Sequence, residues 1–141
     1  MPATIKTLDM LEYVRSVIVA EDLVGGELGV FTIEAPQTAT YPRAILHIVS
    51  RAESPTQDSG SAVDTYRIQI DVWAKSTSTA SGLYTSHLVA ESIRQVLSRA
   101  GDPSSYSPTI IDSIQEANHF TDYIPDEGIY RVTNDYLIRV K

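Results

Sequence analysis

The sequence predicts an α+β fold: a mainly antiparallel sheet of four to five strands, with a long helix packed on one face and a shorter N-terminal helix. Three observations predict it. Residues 66–74 alternate apolar and polar side chains, which is typical of a strand with one buried face. Residues 76–100 contain an apolar stripe at helical spacing. The connections between neighbouring strands are of hairpin length, which favours antiparallel pairing.

The N-terminal third is predicted to form a helix and two strands. A first helix is expected over residues 7–20, because apolar residues recur there at spacings of three and four. Gly25 and Gly26 interrupt that pattern. A short strand is expected over residues 30–35, and a longer one over residues 43–51.

The strand at residues 43–51 is apolar on both faces, which is typical of a strand buried on both sides. Its alternating residues form two rows, with Ala44, Leu46 and Ile48 on one side and Ile45, His47 and Val49 on the other. We therefore expect the first helix or another subunit to cover the second row.

A long hairpin loop is predicted at residues 54–62, which contain Pro, Gly, Ser, Gln and Asp and little apolar surface to bury. We expect this loop to be mobile in an isolated subunit and to become ordered, if at all, in an assembly. Its candidate contact residues are Ser54, Pro55, Asp58 and Gly60.

The second half begins with a Ser/Thr-rich helix entry at residues 76–81, and the helix is expected to run to about residue 100. Its predicted buried stripe consists of Leu83, Val89, Ala90, Ile93, Val96, Leu97 and Ala100. A strand with imperfect alternation, typical of a bulge, is expected at residues 109–120. A turn at 126–128 and a final strand at 129–141 follow, and without a repeat or linker we expect a single domain over residues 1–141.

Composition excludes several classes of function. The chain has 141 residues and no cysteine, which excludes disulfides, thiol catalysis and thiolate metal sites. Its 18 acidic and 11 basic residues give a formal charge of −7, which disfavours tight binding to nucleic acid. We expect no signal peptide and no membrane span, because charged residues interrupt every apolar run.

No catalytic, cofactor-binding or metal-binding residues are predicted. The histidines His47, His87 and His119 lack the close pairing of a metal site. The serine–glycine sequences at residues 59–61 and 81–82 are typical of turns and helix caps, not of a nucleophile on a sharp turn. The acidic turn near residue 126 lacks the alternation of a calcium loop.

Trp73 lies on the polar side of the strand at residues 66–74 and has two interpretations. Either the first helix or a loop covers it, or it is an interface residue, since tryptophan is enriched at binding hot spots. The candidate interface for another subunit or a partner therefore consists of Ile45, His47, Val49 and Trp73.

Five short stretches of the chain occur in the same order as in one known family. They are the amphipathic start with VFTIEAP at residues 30–36, YPRAILHI at 41–48, YRIQIDVWAK at 66–75, IRQVL at 93–97, and residues 122–126 with Gly128 and the terminal strand. On these residues the chain resembles the tail terminator or tail-completion proteins of long-tailed bacteriophages.

The resemblance implies a non-enzymatic virion protein without cofactors. Its members form a six-subunit ring that caps the tail tube, stops tube growth and presents a surface to the head connector. The implied partners are other copies of the chain, the tail-tube protein and the head connector or neck protein, while DNA passes through the ring without specific binding. The implied location is the tail end or neck of the virion, after assembly in the host cytoplasm.

Two alternatives remain open from the sequence. One is another neck or connector protein of a phage. The other, from a different class, is a small-molecule-binding domain outside phage assembly, which would need a concave apolar pocket with convergent polar groups.

Overall fold

The computed structural model describes residues 6–23, 28–32, 40–55, 62–78, 81–100, 111–124 and 127–140. Within these residues the chain forms two helices and five strands. They are α1 (Lys6–Val19), β1 (Gly29–Thr32), β2 (Arg43–Pro55), β3 (Ala62–Lys75), α2 (Gly82–Ala100), β4 (Ile111–Ile124) and β5 (Ile129–Val140).

The strands form one sheet in the order β1-β2-β3-β5-β4. The β2–β3, β3–β5 and β4–β5 pairs are antiparallel, whereas β1 runs parallel to β2 at one edge. The predicted α+β class is therefore confirmed, with a mixed sheet of five strands. Strand β4 also has register shifts between Ile111 and Ser113 and between Glu116 and Asn118, which confirms the predicted bulge.

The hairpin formed by β2 and β3 is longer than the sequence predicted. Ser54 pairs with Val63 and Pro55 pairs with Ala62, so both residues belong to strand β2 and not to the predicted loop. The low apolar content of these residues predicted a loop. Cross-strand pairing joins backbone groups, however, and does not require apolar side chains. Proline is tolerated at the end of a strand, where a ladder hydrogen bond is not needed from it. Asp58 and Gly60 lie outside the described residues.

Side chains from both helices and from one side of the sheet form a single hydrophobic cluster. The helices contribute Met10, Leu11, Val14 and Ile18 from α1 and Val89, Ala90, Ile93 and Leu97 from α2. The sheet contributes Val30, Ala44, Leu46, Tyr66, Ile68, Ile70, Val72, Ile114, Val132, Tyr136 and Ile138. Helix α2 contacts β3, β5 and β4, while α1 contacts α2 and β1.

The predicted stripe of α2 is wrong at its first position, because Leu83 is 43% exposed. The buried positions in the first turns are instead Gly82 and Ser86. A Cβ atom at Gly82 would lie 2.8 Å from the backbone nitrogen of Ser76 and 3.0 Å from the ring of Tyr130. The start of α2 thus lies too close to the end of β3 for a large side chain at position 82. Leu83, the next residue, points outward.

Candidate functional site

The side of the sheet opposite the hydrophobic cluster is here called the second face. Because directly paired residues point to the same side of a sheet, the strand register defines its members. They include Phe31 on β1; Arg43, Ile45 and His47 on β2; Thr65, Arg67, Gln69, Asp71, Trp73 and Lys75 on β3; Arg131, Thr133, Asp135, Leu137 and Arg139 on β5; and Phe120 and Asp122 on β4.

Three of the four predicted interface residues lie together on the second face. Ile45 and His47 are separated from Trp73 by one and two steps of the β2–β3 ladder, in which Arg43 is opposite Trp73. All three side chains are partly exposed. The three residues therefore belong to one surface. A contact between two different surfaces would need a second set of residues.

Val49 is placed differently, because the β2–β3 register shifts between Ile48 and Ser50. Its side chain is 52% exposed. Helix α1 packs into the cluster on the other side of the sheet, so the expectation that α1 covers the second row of residues 43–51 is wrong, whereas cover by another subunit stays a prediction. A bulge inserts one residue into the apolar alternation, and the sequence pattern does not reveal where that happens.

Trp73 is flanked by a cation from the neighbouring strand. The guanidinium of Arg131 lies 5.2 Å from the centre of the indole ring, and Arg131 also donates to Asp122 at 2.9 Å. Since the buried residues of α1 belong to the cluster on the other side, the first helix does not cover this tryptophan. The expectation that α1 covers Trp73 is therefore wrong, and its second interpretation, as an interface residue, stays a prediction.

A buried carboxylate holds the centre of the second face together. Asp71, only 5% exposed, accepts a hydrogen bond of 2.6 Å from Thr133 and bonds of 3.1 Å from the Gln69 amide. The imidazole Nε2 of His47 lies 3.4 Å from the same carboxylate. These groups link β2, β3 and β5, and buried polar groups need such partners.

The geometry around Asp71 differs from that of a catalytic triad. In a triad the hydroxyl bonds to the imidazole, and the imidazole bonds to the carboxylate. Here the hydroxyl of Thr133 donates directly to Asp71, so the imidazole of His47 is not positioned to take its proton. The cluster is consistent with a structural role.

The other side of the sheet contains a groove of about 450 Å³ between α2 and β4. It is lined by Arg94, Ser98, Ile114, Gln115, Glu116 and Tyr136. Arg94 is paired with Glu91 within α2 and lies 4.0 Å from Glu116. This mostly polar lining, with its charges already paired, differs from the apolar pocket that a small-molecule-binding domain would need.

Tyr136 connects this groove to the interior. Its hydroxyl accepts a hydrogen bond of 3.3 Å from the side-chain amide nitrogen of Asn134, and the side-chain oxygen Oδ1 of Asn134 contacts Nδ1 of His119. Burial raises the pKa of Tyr136 above its ordinary value of 10.0, because the phenolate would lose its hydration. The folded state therefore favours the neutral phenol.

We expect the free energy of unfolding to decline as the pH rises above about 10, since the unfolded chain then releases a proton that folded Tyr136 retains. Below that pH this contribution is fully present. Urea denaturation of the natural protein and of Tyr136→Phe at a series of pH values should show a shallower alkaline decline for the variant. Tyr84→Phe is the control, because Tyr84 is 68% exposed, and equal slopes for all three proteins would contradict the expectation.

An exposed apolar surface, which the sequence analysis did not identify, lies where α2 approaches β4. It consists of Leu83, Tyr84, Leu88 and Tyr123, which are 43%, 68%, 50% and 46% exposed, and is called here the α2–β4 patch. Tyr123 stacks on Tyr130 with ring centres 4.3 Å apart, and His87 contacts Thr121 at 3.3 Å between α2 and β4. Exposed apolar clusters of this kind often mark interaction sites. The only signal in the sequence was large apolar residues off the buried stripe.

Neither a metal centre nor a membrane span is found in the described part of the chain. Among those residues, no group of three His, Asp or Glu side chains could hold a metal ion. None of the described helices is long and apolar enough to cross a membrane.

Comparisons with known proteins agree with the resemblance found in the sequence. The family Tail completion protein gp17 matches residues 14–141. Among solved structures, a chain in the virion of a native gene transfer agent (GTA) particle has the same fold, with a TM-score of 0.64, 13% identity and coverage of 90% of each chain. No curated protein sequence matches the chain. The family match spans most of the sequence, and the chain therefore belongs to the tail completion protein gp17 family, a family of structural proteins of the virion tail.

Proposed function

We propose that this protein caps the tail tube as a hexameric ring, ends the growth of the tube and provides the surface that joins tail to head. The observation that carries the proposal is the family match over residues 14–141. Its partners are then other copies of the chain, the tail-tube protein and the head connector or neck protein. No catalytic step is part of this role.

The surfaces of the fold support a role in contacts. A closed ring repeats one contact between two different surfaces, so each subunit needs two surfaces for its neighbours and further ones for tube and connector. The second face and the α2–β4 patch lie on opposite sides of the sheet and differ in chemistry. We infer that α2 covers one face of the sheet through its contacts with β3, β5 and β4, which leaves the second face accessible.

Two further parts of the proposal come from the sequence. The hairpin tip that follows β2, with Asp58 and Gly60, is proposed to contribute contacts in the assembled ring. The formal charge of −7 suits a ring through which DNA passes without specific binding, because an acidic lining repels phosphate. Under this proposal, residues 1–141 act as one domain.

Native mass spectrometry of the purified chain, alone and with the tail-tube protein of the same particle, tests whether the two bind. We expect monomers, or monomers in equilibrium with oligomers, for the chain alone in dilute solution. With tube protein present we expect complexes that contain both proteins, because docking raises the effective concentration of the chain. If the chain does not bind the tube protein and instead retains a small molecule, the result would support the alternative of a small-molecule-binding domain.

A further inference from the structure

The second face is more basic than the chain as a whole. Among the described residues that the register places on this face, five are basic and three are acidic. The basic residues are Arg43, Arg67, Lys75, Arg131 and Arg139, and the acidic ones are Asp71, Asp122 and Asp135. These residues carry a formal charge of +2, whereas the whole chain carries −7.

The solvent-facing part of the second face is more basic than this count suggests. Asp71 and Asp135 are only 5% and 8% exposed. The third acid, Asp122, is more exposed but is paired with Arg131 at 2.9 Å. A partner approaching this face meets the exposed side chains of Lys75, Arg139 and Asp122 and the partly exposed ones of Arg43, Arg67 and Arg131.

The chemistry of the face fits a protein better than a nucleic acid. Trp73 and Arg131 lie together near the end of β3, and tryptophan and arginine are, with tyrosine, enriched at hot spots of protein interfaces.

An acidic surface that could complement this face is present on the chain itself. Glu12, Glu21 and Asp22 are exposed on α1 and on the turn after it, and the Glu12 side chain is 69% exposed and lies 3.6 Å from the guanidinium of Arg15. Because the buried side of α1 packs into the hydrophobic cluster, its outer side points away from the second face. The two surfaces cannot meet within one molecule, but they can meet between two.

We propose that the part of the second face around Trp73 and Arg131 binds the acidic outer side of α1 of a second copy of this chain. This inference rests on the proposed ring, and it assigns the ring's repeated contact to two different surfaces, as head-to-tail closure requires. It leaves the α2–β4 patch for the tube or the connector. Since exposed charges are screened by salt, association through this contact weakens as ionic strength rises.

Trp73 provides a direct probe, because it is the only tryptophan of the chain. We expect its emission to shift to shorter wavelength, and its quenching by acrylamide to fall, when the chain associates at high concentration or on tail-tube ends. The double variant Glu12→Lys/Glu21→Lys should lower the association constant at least about tenfold. Lys75→Glu/Arg43→Glu should do the same from the other side, because Arg43 lies directly opposite Trp73, and mixing the two double variants should restore association. Glu127→Lys, an exposed acid away from α1, is the matched control.

The outcomes separate this inference from the proposed ring. Rings that form while Trp73 remains as accessible as in the monomer would overturn the inference and leave the ring intact. Absence of any ring, alone or on tube ends, would overturn the proposed function as well. A change in Trp73 emission with duplex DNA, but not with protein concentration or tube ends, would show that the face binds nucleic acid and would also overturn the inference.

Discussion

Replacement of Leu97 by alanine is expected to lower the free energy of unfolding by about 2–5 kcal/mol. Leu97 is fully buried, at 0% exposure, in the cluster that joins α2 to the sheet. Removing its side chain loses the transfer free energy of the buried carbons and leaves a cavity that a packed core refills only in part. Urea denaturation followed by circular dichroism measures the change.

Leu88→Ala is the matched control, since it makes the same chemical change on the same helix. Leu88 is 50% exposed, so its replacement should alter the free energy of unfolding by less than about 0.5 kcal/mol. A loss of that small size for Leu97→Ala as well would show that the buried face of α2 is assigned wrongly.

The elements with a regular pattern were predictable from the sequence. Every second residue from Tyr66 to Ala74 is buried, as the alternation of the strand predicted, because the period of a strand maps directly onto its two faces. Most of the α2 stripe was predictable for the same reason. The predicted stripe is wrong at Leu83, because Gly82 and not Leu83 is the residue that lies against the end of β3. That close approach depends on tertiary packing.

Burial of polar residues was not predictable from periodicity. Asp71, Thr133 and Asp135 occupy the polar positions of their strands, yet all three are buried. Each finds a partner on a neighbouring strand or at a diagonal position, as in the bond from Thr133 to Asp71. A sequence shows the polarity of a position but not the cross-strand partner that makes its burial tolerable.

The candidate interface shows the same limit. The sequence identified Ile45, His47 and Trp73 as unusual, but it could not show that they share one face, because that depends on the register between β2 and β3. The α2–β4 patch was missed because its members come from two elements distant in sequence. The arginines of the second face are distant in sequence, and only the strand register shows that they form one basic surface.

The largest functional effect is expected when the chain is added to polymerising tail tubes, whose growth it should stop. Under the proposed function, the chain should bind the growing end, where no further tube subunit has yet docked. Six copies held side by side at that end would cover the surface on which the next tube subunits add. Growth should then stop, whereas tubes with heat-denatured chain should continue to lengthen.

Electron microscopy of tube ends, after purified chain has been added to polymerising tail-tube subunits, tests the central claim most directly. The proposed function predicts shorter tubes, each with a ring at one end, and a length that decreases as more chain is added. Tubes of unchanged length without a terminal ring, formed in the presence of folded chain, would contradict it.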